Sequence, residues 1–287
     1  MNNFGLFERY ARAYHSGETD DEDDESGARN SDSNDTAAPP RSLQDILSDS
    51  AVAGLPALPF PDDINELING GPPIENAAAK RQFVPPAGTT SPADLFKPMM
   101  NACTVPGPRW IYHDPATGVN SVLIFTGGLA LNDGQENARA GYSVIFRPDA
   151  RVEIGQALEF VPGYALTQDR AHLRAAVAAL RLRYWAGEGF WRIVIGATSE
   201  YVVQNAGERL ERWRANRWKY SNGRAVKNKD LWMLLLEELE LFERKGVSVQ
   251  FYLLDAQSAA RVMKVAKRGA TSNKIPIELT DVLVAAC

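Results

Sequence analysis

An unbroken apolar run, Val122-Leu123-Ile124-Phe125, constrains this chain more than any other feature. A strand that is apolar on both faces must be covered on both, which commits the region to a sheet with helices above and below it. Further strands are expected at 142–146, 153–160 and 192–195, and at 247–253, where Val247, Val249, Phe251 and Leu253 alternate. A helix is expected over 170–183, with Leu173, Val177 and Leu180 on one face and Thr167 placed to cap it. Two helices follow at 206–217 and 229–245, the second turning Leu231, Leu234, Leu235, Leu239 and Phe242 inward, and a last helix closes at 259–270. The order βββαβααβα describes an α/β fold, a five-stranded mixed sheet flanked by helices.

Charge divides the chain before this fold begins. Residues 1–82 carry 16 Asp and Glu against 6 Lys and Arg, whereas 83–287 carry 20 against 25. The acidic part, densest at 18–25, cannot bury enough apolar surface to offset the entropy of ordering, so 1–82 is expected as a disordered acidic tail. Within it Leu43, Ile46 and Leu47 stand at helical spacing behind Ser42. This segment is either a short helix that docks onto a protein partner or, as the plainer account of so short a run, a transient helix without one. Residues 83–118 read as a Pro-rich extended lead-in, 119–270 as the folded domain with order setting in near Trp110, and 271–287 as a C-terminal tail. The basic balance of the folded half is the sign a nucleic-acid binder carries.

Two cysteines, Cys103 and Cys287, leave no room for a disulfide framework or a cysteine zinc site. That suits a reducing compartment, and an intracellular location in nucleus or cytoplasm is expected. No apolar run approaches the ~20 residues of a membrane span, and 1–17 lacks the uncharged apolar core of a secretory signal. A membrane partner is therefore not expected, and the protein is expected to be a monomer.

The segment from Arg192 onward, a β-branched strand leading into Ala197-Thr198-Ser199-Glu200-Tyr201, then a basic helix with Trp213 and Trp218, the turn Ser221-Asn222-Gly223 and Val226-Lys227-Asn228-Lys229-Asp230, resembles type 1 ribonuclease H. It is most similar to fungal members with a short "FWRIPRE"-like segment, and the resemblance covers roughly 119–270. Members of that family cut the RNA of RNA–DNA hybrids with paired Mg²⁺ ions held by converging carboxylates. The resemblance puts those four carboxylate positions at Gly127 in Phe125-Thr126-Gly127-Gly128-Leu129, His172 in Arg170-Ala171-His172-Leu173, Thr198, and Met263 in the last helix. None is acidic. The chain is accordingly expected to hold no metal cofactor and to be catalytically degenerate. Rewiring through Asp133, Asp169 and Glu200 would give a weak hybrid ribonuclease instead; a loop acid, a helix-N-terminal acid and a solvated acid is the plainer account of those three. Ser199 has no histidine within sequence reach, so no hydrolase triad is expected.

Binding positions are better kept. By the resemblance, Thr167 and Asn228 belong to a pocket for a DNA phosphate, from which one arginine is missing at Ala165. Tyr201, Trp213 and Ser221 belong to a groove for the deoxyribose strand in which Arg209 replaces an aromatic. Minor-groove contacts map to Asp133 and Gln168. Read from the residues alone, Arg209, Arg212, Trp213, Arg217 and Lys219 form a basic stripe holding an aromatic. Such a stripe either neutralises phosphates while Trp213 stacks, or is a solvated face whose tryptophans pack inward. The function expected is non-catalytic binding of an RNA–DNA hybrid or structured RNA; a protein-interaction scaffold using the groove or the tail is the alternative.

Overall fold

Residues 81–89, 91–100, 107–149 and 152–283 are described in the computed structural model of this chain. The acidic stretch at 18–25 and the helix anticipated at 43–47 lie outside the described residues.

The apolar run lies at the centre of the sheet. Strand β3 (Asn120–Leu131) is the longest, and Val122, Leu123 and Ile124 in it are fully buried. It pairs antiparallel with β4 (Arg139–Ile145), which pairs antiparallel with β5 (Ile154–Ala157). On the opposite side β3 pairs parallel with β6 (Arg192–Ala197), and β6 with β7 (Ser248–Leu253). These are the five expected strands. Two more come from the lead-in: β1 (Lys97–Met99) pairs with β2 (Arg109–His113), and β2 pairs with the first residues of β3. Ser121 to Leu123 and Phe125 to Thr126 all pair with β6 as well, so β2 and β4 occupy successive lengths of the same edge of β3.

Backbone hydrogen bonds of the Arg81–Phe83 stretch cover the outer edge of β7, where Phe83 N donates to Phe251 O and Phe251 N to Arg81 O. The Arg81 side chain is buried against Glu211 at 3.0 Å and Glu243 at 2.9 Å. Propensity could not have found these residues: they have no strand pattern of their own and borrow their order from an existing edge.

Helix α1 (Gln168–Arg181) starts at Thr167, whose hydroxyl accepts from Arg170 N at 3.3 Å, the cap the sequence implied. Helix α5 (Ala256–Ala270) starts earlier than expected because Asp255 caps it, accepting from Ser258 N at 2.8 Å. The two helices cover opposite faces of the sheet, and glycines set the approach. A Cβ on Gly128 would fall 2.3 Å from the backbone of His172 in α1, and one on Gly141 2.1 Å from Ala270 N in α5. Helix α4 (Lys229–Glu243) buries Leu231, Trp232, Leu235, Leu239 and Phe242 and packs on α1 and β7.

The helix expected at 206–217 begins sooner, as α2 (Glu200–Gln204), passes through a π-helical turn (Asn205–Arg209) and ends as α3 (Leu210–Ala215). The Asn205 side-chain amide donates to Tyr201 O at 2.6 Å, which supports the wider turn. Downstream of α5, 271–283 lies along the domain: the fully buried Arg174 reaches Thr280 O at 2.9 Å and Asp281 at 3.1 Å, while holding Glu159 at 2.8 Å.

Candidate nucleic-acid interface

Three of the four positions at which the resemblance implies metal ligands meet in space. The parallel register of β3 and β6 ends at Thr126↔Ala197, so Gly127 and Thr198 are the next residue on each strand. The Thr198 hydroxyl lies 3.2 Å from His172 Nδ1 and 3.4 Å from Met263 Sδ. His172 is buried, and burial pushes its imidazole down to about 4, so the ring is neutral at physiological pH. Beside this cluster, a Cβ on Gly127 would stand 3.1 Å from Ser143 Oγ and 3.3 Å from Val262, so that corner is filled. A neutral imidazole, a hydroxyl and a thioether do not fit paired Mg²⁺ ions, which take hard, charged oxygen ligands. Among the described residues no three His, Cys, Asp or Glu side chains converge as a metal site.

The three neighbouring acids have other occupations. Asp133 accepts from Gln168 N at 3.1 Å, a carboxylate contact at the start of α1 beside the Thr167 hydroxyl cap. Asp169 is held above its usual range by burial first and by the Asp133 charge, with Lys227 acting against both. Glu200 is exposed in the first turn of α2.

On the other flank, Arg209, Arg212, Trp213, Asn216, Lys219, Tyr220 and Ser221 line a groove of about 460 Å³. Among the described residues the side chains of Arg209 and Arg212 donate to Asn205 Oδ1 and Glu208 O alone, and no carboxylate pairs with Arg209, Arg212, Arg217 or Lys219. By contrast Arg214, on the same helix, is taken up by Glu211 and Glu240. Trp213 is buried and forms the groove floor, its ring edge-to-face with Trp232 at 5.4 Å and Tyr220 at 5.8 Å. Its indole is part of the core, and the ring in the groove lining that keeps partial exposure is Tyr220.

Helix α3 ends in a Schellman motif: Trp218 N donates to Trp213 O at 2.7 Å and Arg217 N to Arg214 O at 3.1 Å. That motif asks for glycine in the left-handed region, yet Arg217 (φ 54°) occupies it and Trp218 (φ 60°) follows in the same region. The chain thus carries an exposed cation, in sequence between the groove-lining Asn216 and Lys219, against its backbone preference, at about 1–2 kcal/mol.

Thr167 and Asn228 sit at the N-termini of α1 and α4, which Arg170 clamps together through a bidentate pair with Asp230 at 2.6 and 2.9 Å. Arg170 also stacks on Tyr164 at 4.4 Å. Asn228 takes the left-handed conformation (φ 54°) near Tyr201, whose hydroxyl accepts from Trp232 Nε1 at 3.0 Å. Sequence reasoning missed Arg170, Asp230, Asn216 and Tyr220. A conserved-looking charge pattern would not have revealed the first two, since their pairing spans 60 residues and depends on how α1 crosses α4.

Residues 119–252 match the RNase H family profile. The chain is 30% identical over 125 residues to ribonuclease HI of Haemophilus ducreyi, covering 43% of this chain and 73% of that protein. It is 27% identical over 164 residues to ribonuclease H1 of Mus musculus, covering 53% of this chain and 54% of that one. The solution structure of the PFV RNase H domain aligns over 52% of this chain and 93% of its own, at 16% identity and TM-score 0.41. The family profile, together with 30% identity over 73% of the Haemophilus ducreyi protein, defines the class: the chain belongs to the ribonuclease H family.

Proposed function

We propose that this ribonuclease H domain binds nucleic acid, an RNA–DNA hybrid or a structured RNA, and does not cleave it by the metal-dependent route. The observation that carries the reading is the groove: three exposed cations in its lining, Arg209, Arg212 and Lys219, none paired to a carboxylate among the described residues. Counterion release from phosphates is the interaction such an arrangement serves. The left-handed Arg217 supports it, because a position that favours glycine on stability is given over to a cation. The neutral His172–Thr198–Met263 contact supports the catalytic half of the reading, since nothing there would draw a magnesium ion from water.

A fluorescence-anisotropy titration of the full chain against a labelled hybrid, repeated across salt, tests binding; a gel assay of the same sample with Mg²⁺ and Mn²⁺ tests cleavage. Binding with a negative salt slope and no cleavage above a buffer control is the expected pair of results. A protein that binds no nucleic acid at low salt would hand the groove, or the acidic tail, to a protein partner.

A further inference from the structure

Asn205 is an amide in an apolar setting. Its chain neighbours Val202, Val203, Ala206 and Leu210 are buried, and it is itself only 3% exposed. Asparagine ranks low as a helix former, and burying an amide costs stability unless its hydrogen-bonding groups are used. Both are used here. The amide nitrogen donates to Tyr201 O at 2.6 Å, and Oδ1 accepts from Arg209 Nη1 at 3.1 Å.

The two bonds are not equivalent. Tyr201 O already accepts from the Asn205 backbone N–H, so that carbonyl is satisfied without the side chain. The π-helical turn is closed by backbone as well, Leu210 N donating to Asn205 O. What an apolar residue of the same size could not supply is the contact with Arg209, one helical turn away.

Arg209 lines the groove together with Arg212 and Lys219. Among the described residues it is the one groove cation held by a buried side chain; Arg212 donates to the exposed backbone of its own helical turn, Glu208 O, at 3.3 Å. The Asn205 bond occupies Nη1 and leaves the Nε–Nη2 edge of the Arg209 guanidinium without a hydrogen-bond partner among the described residues. That edge carries two parallel N–H groups, the fork that matches two oxygens of one phosphate.

Resting on the reading that the groove binds nucleic acid, we infer that Asn205 is a positioning residue: it holds Arg209 so that the Nε–Nη2 edge takes one backbone phosphate through two hydrogen bonds. Arg212 and Lys219 contribute charge, whereas Arg209 fixes where along the groove a phosphate sits. Ordering the long side chain before the ligand arrives lowers the entropy cost of binding.

Anisotropy titrations of the full chain against a labelled RNA–DNA hybrid and a labelled hairpin RNA, repeated across salt, test it, the tighter probe carrying the comparison. Asn205→Leu keeps every cation, so the slope of log affinity against log salt should hold while affinity falls about threefold to fivefold. Arg209→Ala should reduce the slope by about one unit. In the Arg209→Ala background, Asn205→Leu should cost no more than about 1.5-fold, because it then has nothing to position. Arg209→Lys keeps the charge and loses the fork, and should weaken binding about threefold at an unchanged slope. Melting curves check that each variant folds; Arg209 is exposed, so Arg209→Lys reads the fork even if Asn205→Leu does not fold. Equal losses from Asn205→Leu with and without Arg209, a folded Asn205→Leu protein that binds like wild type, or an Arg209→Lys protein that does so, overturns this inference and leaves nucleic-acid binding standing. Wild-type protein that binds no nucleic acid at low salt removes the proposed function and this inference with it.

Discussion

The Thr198 hydroxyl and His172 Nδ1 lie 3.2 Å apart, one at the end of β6 and the other in the first half of α1. Both stand at positions where the family resemblance implies a carboxylate, and Met263 joins them from α5. Two like charges at that spacing would repel; a neutral ring, a hydroxyl and a thioether can pack. The cluster therefore stabilises the meeting of three elements that paired acids would push apart in the absence of metal.

Rebuilding the acids should be costly. Gly127→Asp sets a Cβ at 3.1–3.3 Å from Ser143 and Val262, and is expected to destabilise the domain by about 1–3 kcal/mol in urea unfolding. Hybrid cleavage by this single variant with either metal is not expected, because the other three positions stay non-acidic. An active Gly127→Asp protein would show that other acids complete the site.

Stability should depend on pH through His172. The unfolded imidazole protonates near its ordinary value of about 6.5, while the folded one holds off to about 4. Between these values the unfolded chain binds the extra proton, so this contribution is fully present above about pH 6.5 and is lost as pH falls toward 4. The loss is on the order of 3 kcal/mol. His172→Gln keeps a hydrogen-bonding group beside Thr198, and denaturation at a series of pH values should show a flatter acid limb for it than for the wild type.

Arg81, the first of the described residues, is tied to the sheet edge. It is buried between two carboxylates, so Arg81→Ala should cost about 3 kcal/mol, at the low end for a broken buried pair because Glu211 and Glu243 each keep some solvent contact. Removing 1–80 should leave the melting temperature nearly unchanged, whereas removing 1–82 should lower it. If both truncations melt alike, the edge contact on β7 contributes little.

Arg217 offers a separation of stability from binding. Arg217→Gly relieves the left-handed strain and is expected to raise stability by about 1 kcal/mol in thermal or urea unfolding. The same variant should reduce the slope of log affinity against log salt by about one unit, as should Arg212→Ala. Trp213→Ala is a poor probe of binding, because the indole is core, and a loss of about 3–5 kcal/mol is expected from it. A stabilised Arg217→Gly protein with an unchanged salt slope would show that this cation does not touch phosphate.

The sequence by itself determined the layers. The apolar run at β3, the alternation at β7 and the leucines of α4 are local patterns, and each dictates which face must be buried wherever the segment ends up. Thr167 as a cap was equally legible, since a cap acts three residues away. What the tertiary structure decided is everything that needs two distant segments to meet. The lead-in became β1 and β2 only because β3 has an edge to offer, and Trp213 became floor rather than stacking platform only because Trp232 and Tyr220 close on it. The Arg170–Asp230 pair belongs to the same category: both charges are in the sequence, but their contact is set by how α1 crosses α4, and electrostatic energy depends on that distance.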